Sequence, residues 1–355
     1  MTSIVQDKDR DCSALRRLRN YCSILLELVM RRGVAAGVLC GILASAAIAR
    51  ADDWPTRPIT LLVPYAAGGP GDAVARVLAP RLGEVLGQPV IIENVSGAGG
   101  LTALNRLAKA TADGYLMSVG TSGTQTFSQI LYKTPLYNAV TDFTAISMIM
   151  EGGYALVVRK DIPVNTLAEF IDYTKAHQAQ MQFGSAGAAS GTHVACALLN
   201  MTIGVNVTHV PYRATSLAMQ DLIGGRIDYM CDGFATAKPQ IEGKTVKALA
   251  VLSHERSTEL PDVPTADEQG MKGFNAFSWN AIFLPKNAPP SIVQRLNAAI
   301  SETLDTPSVR TRMERLGLSV ATPERRGPEF AATFVATEIS KWTPVLKAIG
   351  LSTNQ

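Results

Sequence analysis

Short apolar runs alternate along this chain with stretches whose apolar residues recur at helical spacing, and glycine clusters stand between them. ITLLVPY (59–65) reads as a strand, Gly68, Gly69, Pro70 and Gly71 as a turn, and DAVARVLAPRLGEVLG (72–87) as an amphipathic helix. PVIIEN (89–94), the glycines at 97, 99 and 100, LTALNRLAKA (101–110) and YLMSVGT (115–121) repeat the pattern. Strand, glycine loop and helix at this spacing predict βαβ units on a parallel sheet.

A second series follows. YALVVR (154–159) is strand-like, and TLAEFIDYTKAH (166–177) is helical, with Thr166 and Glu169 spaced as a capping box. MQFGSAG (181–187), THVACALLNM (192–201), VNVTHVPY (205–212), SLAMQDLIGG (216–225), IDYMCD (227–232) and VKALAVLS (246–253) continue the alternation of strand and helix. WNAIFLP (279–285) then leads through KNAPP (286–290) into helical sequence. The expected fold is an α/β clamshell of two lobes joined by two crossing strands, near Leu156–Arg159 and near Ile282–Pro285, with ligand held in the cleft. Lobe 1 is expected to take residues 52–157 plus 283–355, and lobe 2 residues 158–282.

Residues 33–49 form a charge-free apolar run behind Arg31 and Arg32, ending in the A-x-A pattern Ala49-Arg50-Ala51. These are the parts of a secretory signal. Residues 1–51 are expected to be that signal, with Met30 as a possible true start and cleavage after Ala51. The whole chain has 355 residues, a net charge of +3 and five cysteines. The leader holds 8 of 33 Lys+Arg and 4 of 30 Asp+Glu, so the mature chain has 25 against 26, or −1. That balance excludes a nucleic-acid partner. Cys196 and Cys231 remain after cleavage and meet an oxidising compartment, as either a disulfide or two buried thiols.

The loops at 65–71, 96–100, 121–124, 185–191 and 212–216 all stand where a strand hands over to a helix. In open α/β sheets, ligands sit at that end of the strands, and a helix start offers unpaired N–H groups and partial positive charge. The implied ligand is an anion held without a cationic clamp. Other chemistries fail on the residues. Val74 occupies the sixth position of the dinucleotide fingerprint, no G-K-[ST] follows a P-loop spacing, and Ser185 is outside a G-x-S-x-G elbow. The four histidines, 177, 193, 209 and 254, have no paired ligand spacing. No metal, cofactor or catalytic residue is expected. Asp72 is either a helix cap or a ligand contact, and His193 either faces ligand or caps its helix.

Several stretches together resemble the solute-binding proteins of tripartite tricarboxylate transporters, the Bug family: WPTRPITLLVPYAAGGPGD, LGQPVIIENVSGAGG, FGSAGAASGTH, VTHVPYRAT, DLIGGRIDYMCD and FLPKNAPPSIVQRLNAAI among them. The resemblance covers nearly all of residues 54–350. It implies a two-lobed periplasmic binding protein of the Venus-flytrap, type II-like class, a small organic carboxylate or dicarboxylate as ligand, and the membrane subunits of such a transporter as partner. It also implies a monomer without enzymatic activity. A receptor for a two-component sensor and a secreted enzyme on the same scaffold are the alternatives. Gly68, Gly69 and Asp72 with Gly97, Ala98 and Gly99 match the family's carboxylate cradle. Thr121, Ser185, Ala186, Gly187, Thr192, His193, Tyr212 and Asp232 fall where the facing lobe and cleft floor contribute, and Tyr65, Ala67 and Ser122 complete the same loops. Arg213-Ala214-Thr215 replaces a more glycine-rich turn, and Ala66-Ala67 stands where proline is common.

Overall fold

The structure is a computed structural model and describes residues 54–348; the expected signal segment and its cleavage site lie outside them. In chain order the first elements are β1 (Ile59–Val63), α1 (Pro70–Leu86), β2 (Val90–Asn94), α2 (Leu101–Ala108), β3 (Leu116–Thr121), α3 (Ser128–Leu131) and β4 (Phe143–Arg159). Then come α4 (Leu167–His177), β5 (Gln182–Ser185), α5 (Gly191–Ile203), β6 (Thr208–Pro211), α6 (Thr215–Ile223), β7 (Tyr229–Gly233), α7 (Phe234–Glu242) and β8 (Val246–Val251). β9 (Phe277–Pro285), α8 (Pro290–Asp305), α9 (Pro307–Arg315), β10 (Ser319–Val320) and α10 (Pro328–Ala348) complete the described chain.

The strand order is β2-β1-β3-β9-β4-β7-β5-β6, with β8 and β10 also on β4. β1 pairs in parallel with β2 and β3, and β5 in parallel with β6 and β7, as the two βα series require. β4 joins the halves. Its residues 143–153 pair antiparallel with β9, while Tyr154–Val158 pair with β7 and Ala155–Arg159 with β8. The partner change therefore falls between Gly153 and Tyr154, and β9 pairs with β3 and the first part of β4. The β4 crossing was expected near Leu156–Arg159, a few residues after this change, whereas β9 keeps its partners in the first half from Phe277 to Pro285. β4 runs unbroken through its change of partners, so the residue pattern holds no break that marks it.

The sequence pattern also missed Phe143–Gly153 as strand, because Glu151-Gly152-Gly153 reads as a turn. The glycines answer a packing need instead: a Cβ on Gly153 would lie 2.8 Å from the Phe234 ring. α7 was missed because Pro239 stands inside it. The Thr166 cap of α4 forms as expected, with Thr166 Oγ1 accepting from the Glu169 N–H at 3.2 Å, but the Glu169 carboxylate takes the Asn165 N–H rather than that of Thr166.

Each half has its own core. Leu62, Leu104, Met148, Trp279 and Phe283 pack in the first, and Leu156, Phe170, Phe183, Leu199 and Tyr229 in the second. Cys196 of α5 and Cys231 of β7 form a disulfide at a Cα separation of 5.3 Å inside the second core. That resolves the two readings of the cysteines.

Candidate functional site

Four helices begin at one cavity between the two halves of the sheet. Gly69, Pro70 and Gly71 open α1, Gly191 and Thr192 open α5 behind the cap Ser190, Thr215 opens α6, and Phe234 opens α7 behind Gly233. The first N–H groups of a helix have no intrahelical acceptor, and the dipole adds partial positive charge there. Tyr65, Thr121, Ser122 and Tyr154 contribute hydroxyls on one side; Met150, Phe234 and Leu318 make an apolar wall. Among the described residues, no Asp, Glu, Lys, Arg or His lines this space.

The hydroxyls stay neutral. The Tyr65 hydroxyl lies 3.4 Å from Thr121 Oγ1, and burial pushes its pKa up to about 12. Burial raises Tyr154 as well. Such a site presents hydrogen-bond donors and dipoles to a ligand but no fixed ionic charge.

Of the residues expected at the site, Tyr65, Gly69, Thr121, Ser122, Ala186 and Thr192 line the cavity. Gly97, Ala98, Gly99, Gly187 and Tyr212 line a neighbouring space that shares Tyr65 and Ala186 with the first and includes Arg213. Here the lobes meet directly. The Ala66 N–H donates to the Arg213 carbonyl at 3.1 Å, and the Ser216 hydroxyl donates to the Ala67 carbonyl at 3.2 Å. A Cβ on Gly99 would stand 2.0 Å from the Ala188 carbonyl oxygen. This loop needs glycine for close approach of the two halves.

Asp72, Gly68, Ser185, His193 and Asp232 lie behind the walls. The Asp72 carboxylate accepts the Gly68 N–H at 2.9 Å, Arg76 Nε at 2.8 Å and Asn94 Nδ2 at 3.0 Å. Burial opposes its charge, yet the bonds from Arg76, Gly68 and Asn94 prevail and hold the carboxyl below its usual range. Asp72 is thus the third residue of α1 reaching back over the loop, not the cap itself. It also occupies the Gly68 N–H. His193 Nδ1 accepts the Ala189 N–H at 3.2 Å, and its ring centroid lies 4.0 Å from that of His209, whose Nε2 is 2.6 Å from the buried Ser185 hydroxyl. Burial lowers His193 to about 4, so the ring is neutral. These groups brace the 185–193 loop.

The sequence reading overlooked the start of α7 and the cavity face of β9. Ser278 and Asn280 line the cavity, while Trp279 and Ala281 between and beyond them are buried in the first core. That polar–apolar alternation in FSWNA was the available signal.

A sequence profile described as "Tripartite tricarboxylate transporter family receptor" matches residues 74–351. The chain belongs to this family. It is 32% identical over 315 residues to Protein BugT of Bordetella pertussis, covering 88% of this chain and 96% of that one. Periplasmic binding protein BugD superposes with a TM-score of 0.82 at 35% identity, covering 84% of this receptor and 99% of BugD. MatC of Rhodopseudomonas palustris with bound malate gives 0.81 at 40% identity, covering 82% and 100%. Rpa4515 of R. palustris with adipate gives 0.80 at 33%, covering 84% and 99%. The family places this receptor among periplasmic binding proteins. Among the described residues, no helix is long and apolar enough to cross a membrane.

One receptor residue tests the division between wall and support. The Tyr212 hydroxyl donates to Asp221 Oδ2 at 2.8 Å. Tyr212→Phe should therefore cost stability of about 1 kcal/mol and change carboxylate affinity by less than about threefold. A tenfold loss of affinity in titration calorimetry at unchanged melting temperature would place the hydroxyl on the ligand.

Proposed function

We propose that this receptor captures a small organic carboxylate in the interlobe cavity and delivers it to the membrane subunits of a tripartite tricarboxylate transporter. The observation that carries the reading is the convergence of four helix starts on a space that no charged side chain lines among the described residues. Charge-assisted hydrogen bonds contribute ~1.5–3 kcal/mol each. Four or five of them reach the roughly 8 kcal/mol of a micromolar complex after ordering costs. Malate and adipate in the related structures support an acid of four to six carbons. The ligand contacts assigned to this chain are Tyr65, Gly69, Thr121, Ser122, Ala186 and Thr192, joined by Gly71, Ser190, Thr215 and Asn280.

The receptor works as an exported monomer, freed of its leader after Ala51, and turns over no substrate. The hinge lies where β4 changes partners, at Gly153–Tyr154, and ligand stabilises the closed population.

A thermal-shift panel of malate, succinate, adipate and benzoate, each beside its neutral amide, tests the reading. An acid at a hundred times its Kd should add about 2.7 kcal/mol and raise the melting temperature by several degrees. Equal shifts from the amides, or none from any acid, would overturn it.

A further inference from the structure

Asp232 is the penultimate residue of β7, pairs with Ala155 of β4 and is fully buried. Its Oδ1 accepts the Gly233 N–H at 2.8 Å, Oδ2 makes no hydrogen bond of good geometry among the described residues, and the nearby Thr236 and Thr215 hydroxyls only partly offset burial. Gly233 and Thr215, which stand beside the carboxyl, are both cavity walls. A buried carboxyl is thus separated from the proposed ligand space by a single layer of small residues.

Among the described residues no cation pairs with it. The elements around it offer Thr215 from α6 and Thr236 from α7, whose hydroxyls are 3.2 Å apart. Tyr154 of β4 is the titratable neighbour, and burial keeps it neutral. The charged groups of the surrounding elements are engaged elsewhere. Asp72 of α1 pairs with Arg76, Asp221 of α6 with Arg226, and Lys238 of α7 with Glu259. Ser185 of β5 bonds His209, which burial and the nearby His193 keep neutral.

A carboxylate ligand brought against Gly233 and Thr215 adds a like charge to this dry setting. Two carboxylates sharing such a site do not both stay ionised, and one takes up a proton. We propose that the receptor binds its carboxylate together with a proton held on Asp232. This rests on the carboxylate reading above. It makes the captured species the acid equivalent of the anion, and it ties affinity to pH through a residue that touches no ligand.

The sign and size follow from linkage. Burial already raises Asp232 to about 7. Binding that raises it further draws in about half a proton per ligand at pH 7, more at pH 8 and little at pH 6. Affinity weakens as pH rises above 7, by up to about tenfold per pH unit.

Calorimetry of the receptor with the tightest acid of the panel, in phosphate and in Tris at pH 6, 7 and 8, reads the proton directly from the difference in heats. The expected result is uptake that grows with pH, and Asp232→Asn, which keeps the Oδ1 acceptor for Gly233, abolishes both the uptake and the pH dependence. Binding without proton uptake in the unsubstituted receptor would overturn the linkage while leaving the carboxylate reading intact. Uptake that persists in Asp232→Asn would also overturn it by moving the proton elsewhere. Failure of every acid to bind would overturn both.

Discussion

Gly99→Ala is expected to weaken carboxylate binding about a hundredfold or more while leaving the melting temperature of the ligand-free receptor nearly unchanged. The added methyl would stand 2.0 Å from the Ala188 carbonyl oxygen, across the contact between the lobes. Neither partner is a flexible side-chain end that can turn away. Gly99 also has φ +63°, so the substitution adds backbone strain of about 1 kcal/mol. The overlap is relieved by opening the lobes, and a ligand that binds the closed state then works against it. A hundredfold loss corresponds to about 2.8 kcal/mol. Gly87→Ala is the control: its φ of +74° carries the same kind of strain, but no atom lies within 4 Å of the added methyl. Titration calorimetry on the two variants separates strain from closure. Unchanged affinity in Gly99→Ala would show that the lobes do not need this contact when ligand is bound.

Removing the Cys196–Cys231 disulfide, by reduction or by the double Cys→Ala variant, should cost about 3–4 kcal/mol, from closing a loop of 35 residues. In a protein of this size that lowers the melting temperature by roughly 10 °C. Binding should weaken too. The bridge ties α5, whose first turn lines the cavity, to β7, whose end carries Asp232 and Gly233. A reduced receptor, verified by two labelled thiols, that melts at the same temperature as the oxidised one would sink the prediction.

Most of the fold was legible in the residues, because βα units announce themselves by period and by the glycines between strand and helix. β1, β2, β3 and the helices behind them lie within a few residues of the pattern. The change of partners in β4 was not legible. β4 is 17 residues long and serves two sets of partners, and nothing local tells a strand which neighbour it will have. The site was half legible. Glycine loops at helix starts located the cavity, but a glycine that frees an amide for ligand and one that lets two backbones touch look alike in sequence. Gly69 lines the ligand space and Gly99 lies at the lobe contact; only the packing of Ala188 against Gly99 tells them apart. Asp72 shows the same limit, since an acid in the first turn reads as capping or contact until Asn94 and Arg76 are seen to enclose it.

The helix starts around the cavity have a further consequence. Their donors belong to the main chain, and no substitution short of proline deletes a main-chain N–H. On the proposed function, a grip on a carboxyl head made by such donors is insulated from mutation, whereas Met150, Phe234 and Leu318 on the apolar wall are free to change. A scaffold built this way can exchange one acid for another by reshaping that wall, with the part that recognises acidity left untouched.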